Sequence, residues 1–257
     1  MNSPPAAGPV LDFHARLTPR PGALDDLLAS MAASGVAAAG LAAGGVLDLE
    51  TLARQVALGG ASTADADNAA VLAASRSSQG RLVPIYFANP HAGPEPYQEA
   101  ADDFAALEIS PAVHGFDFDD PRVEELVAIA RDSGHAVYTV CLPRPGTGVA
   151  DLADLAARFP DVDFVLGHGG VSLIDLHAIS VIADHPNIAL ETCGPYAAVV
   201  RLALERLGPR RLVFAAEHPL QPVRAELAKF AGLDLSADTW NSVAWHNGRR
   251  LLGIEES

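Results

Sequence analysis

Residues 10–17 read Val-Leu-Asp-Phe-His-Ala-Arg-Leu, and this short apolar run with embedded polar residues decides the fold. Side chains alternate between the two faces of a strand, so His14 and Arg16 share one face while Phe13 and Ala15 share the other. We expect the polar pair to point into the mouth of a barrel and the apolar pair to point toward surrounding helices. Such a strand is typical of a parallel barrel, in which functional side chains sit at the carboxyl ends of the strands.

Seven further apolar runs follow, with helical segments between most of them. The eight predicted strands are 10–17, 36–43, 81–90, 106–110, 136–142, 163–168, 187–193 and 211–219. This alternation favours a parallel α/β architecture. Polar residues end several of the runs, and no glycine-rich phosphate loop follows the first. A closed ring brings all strand ends to one pocket, whereas an open sheet does not. The sequence therefore predicts a single (β/α)₈ TIM barrel.

The clearest helix is predicted directly after Asp120. That aspartate can cap the helix, Pro121 occupies its first turn, and Gly134 follows its end. Apolar residues then recur at helical spacing on one face, beginning with Val123 and Leu126.

The length of 257 residues suits one barrel, since such domains run to about 250 residues. Hydrophobic residues make up 49% of the chain, enough for a large core. We expect one domain over residues 1–257, with a flexible N-terminal arm at 1–9 and a helical C-terminal tail at 236–257.

The charge balance restricts the partners. There are 32 acidic and 17 basic side chains, giving a formal net charge of −15, which disfavours nucleic acid and anionic membrane surfaces. No signal-peptide pattern and no apolar stretch of about 20 residues is present. Two cysteines imply no disulfide framework. We expect a cytoplasmic protein whose partner is a small-molecule substrate, and a homodimer is compatible with this type of barrel.

Chemically capable side chains lie at the ends of four of the predicted strands. They are His14, Arg16, Cys141, His168 and Glu217, which supply two imidazoles, a guanidinium, a thiol and a carboxylate. His218 and His114 lie in segments that could reach the rim of the pocket and contact substrate. Cys193 and Glu191, in the seventh strand, are weaker candidates.

These residues stand in an order that resembles the amidohydrolase superfamily, in the branch often called family 2. Its first strand reads Asp-x-His-x-His, where this chain has Asp12-Phe-His14-Ala-Arg16. Three further segments match Gly-His-x-Gly, Phe-Gly-Ser/Thr-Asp-x-Pro and Asn-x-x-Arg-Leu-Leu-Gly: Gly167-His168-Gly-Gly170, Phe214-Ala-Ala-Glu217-His-Pro219 and Asn247-Gly-Arg-Arg-Leu-Leu-Gly253. The resemblance covers nearly the whole chain and implies the same barrel fold.

The resemblance also implies a divalent metal, held by the paired histidines, a middle-strand histidine and the final aspartate. Here three of those positions are changed to Arg16, Cys141 and Glu217. Arginine stays protonated and cannot bind a cation, but a thiolate and a carboxylate can bind zinc. One reading is therefore a rebuilt zinc site formed by His14, Cys141, His168 and Glu217.

The other reading is a metal-free site. Arg16 would bind a substrate carboxylate or phosphate, Glu217 would act as general acid or base, and His168 or His14 would move a proton. Cys141 as a nucleophile is a third option, which requires a histidine within reach.

Both readings predict an enzyme that acts on a small, anionic organic molecule and hydrolyses a C–N or C–O bond at the carboxyl-terminal mouth of the barrel. The alternative is a metal-independent lyase, decarboxylase or cyclase that uses Arg16 and Glu217. A second alternative is a small-molecule-binding protein that has lost catalysis, since three site positions are altered. The identity of the substrate depends on loop shapes that the sequence does not give.

Overall fold

Eight parallel strands follow one another around a ring in the computed structural model, which describes residues 8–254. The strands are β1 (Val10–Leu17), β2 (Val36–Ala43), β3 (Leu82–Phe87), β4 (Ala106–Ile109), β5 (Ala136–Thr139), β6 (Phe164–Leu166), β7 (Ile188–Glu191) and β8 (Leu212–Val213). Each strand pairs with the next in sequence. The predicted (β/α)₈ TIM barrel is confirmed.

Helices connect the strands and surround the ring. They are α1 (Ala23–Ser34), α2 (Leu49–Leu58), α3 (Asn68–Ser77), α4 (Glu95–Ala100), α5 (Pro111–His114), α6 (Pro121–Asp132), α7 (Val149–Arg158), α8 (Leu176–Ile182), α9 (Ala197–Leu207), α10 (Val223–Ala231), α11 (Ala237–Asn241) and α12 (Asn247–Leu251). Helix α6 begins as predicted, because the Asp120 side chain accepts a hydrogen bond from the backbone N–H of Arg122. None of the helices in residues 8–254 is long and apolar enough to cross a membrane.

Backbone hydrogen bonds join the first strand to the segment after β8 and so complete the ring. The N–H of Phe13 donates to the carbonyl of Phe214 at 2.9 Å, and the N–H of Glu217 donates to the carbonyl of His14 at 3.0 Å. The N–H of Arg16 donates to the carbonyl of His218 at 2.8 Å. These bonds place Glu217 directly beside the first strand.

The interior of the barrel is built in two layers. Side chains one step below the mouth are small or apolar, such as Ala106, Ala189 and Ala215, and they pack in one buried cluster. Two residues further along the same segments stand Glu108, Glu191 and Glu217, each almost fully buried. Because side chains alternate along a strand, this spacing places the three carboxylates on the same interior face, one layer higher.

Strand β1 departs from simple alternation. Phe13 packs in the interior cluster and lies 6.4 Å from Tyr138, ring centre to ring centre, so the prediction that it faces the helices is wrong. The pairing of β1 with β2 shifts register between Asp12 and Ala15. A bulge of this kind re-aims the side chains that follow it. The irregularity explains why Phe13 and the polar residues after it can all face inward.

The tail closes the base of the barrel. Helix α11, a π-helical turn at Ser242–His246 and helix α12 lie within residues 236–254, where the sequence predicts a helical tail. The Asn247 side chain donates to the carbonyl of Pro209 at 2.7 Å and to that of Leu212 at 2.6 Å, which fastens the tail beneath β8. Residues 1–7 of the predicted N-terminal arm and residues 255–257 of the tail lie outside the described residues.

Candidate active site

A cavity of about 700 Å³ opens at the carboxyl ends of the strands. Its walls are largely apolar and include Leu49, Leu52 and Val56 of α2, together with Leu173 and Leu220 from loops. Arg16, His168 and Glu217, which follow or end strands of the barrel, also line it, and we call these three side chains the floor of the cavity. This is the end of the barrel at which functional residues of such folds are found.

Arg16 is bound on two sides by carboxylates. Its Nη2 and Nη1 atoms donate to the two oxygens of Glu108, at 2.9 and 3.4 Å, and its Nε atom donates to Oε1 of Glu217 at 3.0 Å. Nη1 also lies 3.2 Å from the carbonyl of Ala43. Burial alone would raise the pKa of Glu108, but Arg16 and then His14 outweigh it and lower that pKa to about 2. Glu108 is therefore a permanent counter-ion for the guanidinium.

His14 lies beneath this ion pair and is fully buried. Its Nε2 atom is 3.1 Å from Oε2 of Glu108, and its ring stacks on that of Tyr138 with 4.0 Å between ring centres. Burial lowers the pKa of His14, so its neutral form is favoured. The contacts fit a residue that supports Glu108 from below.

Glu217 bridges Arg16 and His168. Its second oxygen, Oε2, lies 3.2 Å from Nε2 of His168 but makes no hydrogen bond of good geometry. Burial alone would raise the pKa of Glu217, and the nearby His168 and Arg16 outweigh it, so the pKa lies below its usual value. The side chain of Glu217 is only 6% exposed, whereas that of His168 is 34% exposed toward the cavity. The pair thus joins a buried carboxylate to an accessible imidazole.

Both members of this pair have strained backbones. His168 has φ 55° and Glu217 has φ 53°, in the left-handed region that side chains with a Cβ atom rarely adopt. Strain of this kind is found preferentially at functional sites, where the surrounding structure holds it in place. The two glycines that follow, Gly169 and Gly170, have φ 62° and 126° and form the turn after β6.

Glu191 fixes the backbone beside the pair. Its carboxylate accepts hydrogen bonds from the N–H of His168, at 2.7 Å, and from the N–H of Cys193. Burial raises the pKa of Glu191 well above its usual value. Burial, and next the charge of Glu191, also raise the pKa of the Cys193 thiol. Glu191 therefore connects the ends of β6 and β7.

The described residues bring together a potential metal-ligand set that differs from the one predicted. Ligand atoms of His168, Cys193 and Glu217 all lie within 4.8 Å of one another. His14 and Cys141, the other two members of the predicted zinc site, do not belong to this group. The unpaired Oε2 of Glu217 and the mixture of nitrogen, sulfur and oxygen donors fit a divalent cation.

The reason that Cys193 replaces Cys141 in this group is its place in the ring. Strands β6, β7 and β8 are consecutive, so Cys193 follows the strand between those that carry His168 and Glu217. Cys141 also lines the cavity, but its neighbours differ from those of Cys193. Burial raises the pKa of the Cys141 thiol well above its usual value, and the charges of Asp175 and Asp151 raise it further.

The remaining predicted site residues lie outside the cavity. Neither His114 nor His218 is among the described residues that line it. His114 is buried, and its Nε2 atom is 3.1 Å from the carbonyl of Ala64. Sequence reasoning missed Glu108 and Tyr138 entirely. The available signal for Glu108 was a single carboxylate inside the otherwise apolar run Ala106–Ile109.

Solved structures of other proteins share this architecture. The first is a protein of Pseudomonas putida described as a candidate 2-pyrone-4,6-dicarboxylic acid hydrolase, with a TM-score of 0.74, 17% identity and coverage of 97% of this chain and 99% of that one. The second is a 5-carboxyvanillate decarboxylase from Sphingomonas paucimobilis, with a TM-score of 0.71, 18% identity and coverage of 97% and 100%. At these identities the similarity establishes the fold alone.

A third structure contains a metal. It is a 5-carboxyvanillate decarboxylase variant from Novosphingobium aromaticivorans with bound manganese and 3-methoxy-4-hydroxy-5-nitrobenzoic acid. The TM-score is 0.71 at 14% identity, and the alignment covers 95% of this chain and 97% of that one.

Comparison with curated proteins by sequence gives no match. A family model described as Amidohydrolase matches residues 11–254, which is almost the whole chain and includes every residue of the site described above. The chain therefore belongs to the amidohydrolase family.

Proposed function

We propose that this chain is a hydrolase that cleaves a C–N or C–O bond in a small, largely apolar organic molecule. The observation that carries the proposal is the pairing of His168 with Glu217 at the floor of the apolar cavity, 3.2 Å apart and held by Arg16. An accessible imidazole beside a buried carboxylate can accept a proton from water and return it to a leaving group.

Each residue of the floor has a distinct task in this proposal. Arg16 binds Oε1 of Glu217 and so directs Oε2 toward His168. The pair takes the proton from the attacking water and gives it to the departing nitrogen or oxygen. A divalent cation held by His168, Cys193 and Glu217 would engage the side chains of this pair, and it would then acidify the attacking water in their place and polarise the scissile bond. The apolar walls exclude bulk water, which strengthens the electrostatic interactions at the floor.

The charges at the floor favour an uncharged substrate. The donor atoms of Arg16 are bound by Glu108, Glu217 and the carbonyl of Ala43. An incoming anion would therefore have to compete with two carboxylates already in place. The sequence predicts an anionic substrate and substrate-binding roles for Arg16, His114 and His218. These remain predictions, and the contacts of Arg16 argue against an anion at that side chain. Arg16 acts in our proposal as a positioning residue.

Decarboxylation is the second candidate, because two of the similar structures are decarboxylases of aromatic acids. One assay distinguishes hydrolysis from decarboxylation. Neutral esters, lactones and amides should be hydrolysed, while aromatic carboxylic acids of similar size should release no carbon dioxide. Carbon dioxide release would favour the decarboxylase, and saturable binding without any turnover would favour the inactive binding protein.

The direct test replaces the proton-transfer pair. We expect Glu217→Gln and His168→Asn each to lower kcat/KM about 10²- to 10⁴-fold, the usual contribution of general acid–base catalysis. Glu125→Gln, on the exposed face of α6, is the matched control and should leave the rate unchanged. Full activity in both site variants would refute the proposal. The cytoplasmic location and the homodimer remain predictions, which fractionation and sedimentation would check.

A further inference from the structure

Three consecutive strands end in three different kinds of metal ligand. His168 follows β6, Cys193 follows β7 and Glu217 follows β8, and their ligand atoms lie within 4.8 Å of one another. We propose that these three residues bind one zinc ion, with Cys193 as its thiolate ligand, and that the thiolate makes the site prefer zinc and cobalt to manganese. This site differs from the set expected from the sequence, which used Cys141 and His14.

The spacing of the ligand atoms fits a tetrahedral ion. Zinc lies at about 2.0–2.2 Å from nitrogen and oxygen ligands, so two such ligands of a tetrahedral ion are separated by roughly 3.3 Å. Nε2 of His168 and Oε2 of Glu217 are 3.2 Å apart. Three protein ligands would leave the fourth position for water or substrate, as catalytic zinc sites require.

An unpaired buried oxygen points to a ligand at the same place. Glu217 is buried, and its Oε2 atom makes no hydrogen bond. Buried polar atoms are almost always hydrogen-bonded, so each exception calls for an explanation. Coordination of a cation by Oε2, with Oε1 still bound to Arg16, would satisfy both oxygens of the carboxylate.

The local charge balance supports a cation as well. Five carboxylates in this region are more than nine-tenths buried: Asp12, Glu108, Glu191, Glu217 and Glu226. The cationic side chains that form ion pairs with them are Arg16 and Lys229. Buried charges in proteins are normally paired or bound to metal. Glu217 shares the single guanidinium of Arg16 with Glu108, and a divalent ion at Oε2 of Glu217 would supply a second positive charge.

Glu191 fixes the positions of the other two proposed ligands, His168 and Cys193, relative to each other. Its oxygens accept hydrogen bonds from the backbone N–H groups of His168 and Cys193, so one buried side chain fixes both loop segments. Groups that orient the ligands in this way are a regular feature of metal sites and contribute about 10- to 100-fold to metal affinity.

The thiolate determines which metal the site prefers. Sulfur ligands select soft or borderline ions such as zinc, whereas manganese suits oxygen-rich sites. Binding converts the Cys193 thiol to thiolate and releases its proton to solvent. The inference shares His168 and Glu217 with the proposed function but depends on Cys193, which proton transfer does not use.

The test uses the two cysteines of the chain as a matched pair. Protein freed of metal by a chelator is supplied with zinc, cobalt or manganese, and bound metal is counted by mass spectrometry. We expect about one equivalent of zinc to bind and manganese to bind at least tenfold more weakly. Cobalt should give a near-ultraviolet sulfur-to-cobalt charge-transfer band. Cys193→Ser should lose that band, and Cys141→Ser should keep it.

A measurement on the unchanged chain guards against a variant that fails to fold. X-ray absorption of the zinc-loaded protein should show one sulfur neighbour at about 2.3 Å. Absence of stoichiometric zinc, absence of a sulfur neighbour, or a cobalt band that depends on Cys141 would overturn the inference. A protein that takes up no zinc but still hydrolyses substrate would overturn it while leaving the proposed function intact. Metal-loaded protein without turnover would do the reverse.

Discussion

The two halves of the barrel mouth contain similar residue types but differ in how fully their polar atoms are hydrogen-bonded. On the side of β1 and β4, Arg16 and Glu108 form two parallel hydrogen bonds and His14 adds a third from below. On the side of β6 to β8, Glu217 keeps one oxygen without a hydrogen bond, and it and His168 have left-handed backbones. Both oxygens of Glu108 are thus engaged, whereas Glu217 keeps a free oxygen beside the cavity, where a ligand could bind it.

The difference shows that burial of a charge does not by itself mark a reactive group. Glu108 is more buried than Glu217, but every contact it makes is internal to the network. Reactivity is better indicated by a buried polar atom that still lacks a partner and faces a cavity. Four substitutions test this contrast.

Glu108→Ala should have the largest effect on stability. It removes the main counter-ion of a largely buried guanidinium, and breaking such a pair costs about 3–5 kcal/mol. Urea unfolding of this variant should be compared with that of Glu217→Ala. In Glu217→Ala, Arg16 still has Glu108 as its counter-ion, so the free energy of unfolding should fall by less. Equal losses would contradict the assignment of Glu108 to the structural half.

Glu191→Leu should have the next largest effect. The substitution leaves the N–H groups of His168 and Cys193 without their acceptor, and an unsatisfied donor costs about 1–3 kcal/mol, less than a broken buried ion pair. Glu191→Gln keeps one acceptor oxygen and should lose less. Thermal or urea unfolding checks the order, and a leucine variant as stable as the glutamine variant would show that Glu191 does not fix these loops.

His168→Gly should be more stable than His168→Ala by about 1 kcal/mol, because alanine still bears the cost of a left-handed backbone and glycine does not. Both variants lack the imidazole, so their difference in unfolding free energy isolates the backbone strain. Were alanine the more stable of the two, the strain assigned to this position would be absent.

Tyr138→Phe should have the smallest effect. The Tyr138 hydroxyl is buried without a hydrogen-bond partner, so its removal breaks no bond, and the ring remains stacked on His14. We expect the unfolding free energy to change by less than about 0.5 kcal/mol. A loss well above that in urea unfolding would reveal a partner for the hydroxyl.

The fold could be predicted because local patterns carry it. Apolar runs and helix boundaries gave all eight strands, although the observed strands are generally shorter than predicted since their ends turn into loops. His168 and Glu217 were recognisable because each ends a run. Glu108 was not, since it lies within a run and only ring closure shows that Arg16 faces it.

The position of Phe13 and the choice between the two cysteines could not be predicted for a related reason. The bulge in β1 depends on how the strand pairs with β2, and a single strand does not encode its partner's register. Cys141 and Cys193 both follow apolar runs, and only the order of strands around the ring places Cys193 between the strands of His168 and Glu217.

The backbone hydrogen bonds between β1 and the segment after β8 connect an early part of the chain to a late part. During translation, His14 and Arg16 are therefore synthesised long before Glu217. No nascent fragment that stops short of this residue can contain the complete centre. The proton-transfer pair proposed above would therefore form only after β8 has been synthesised.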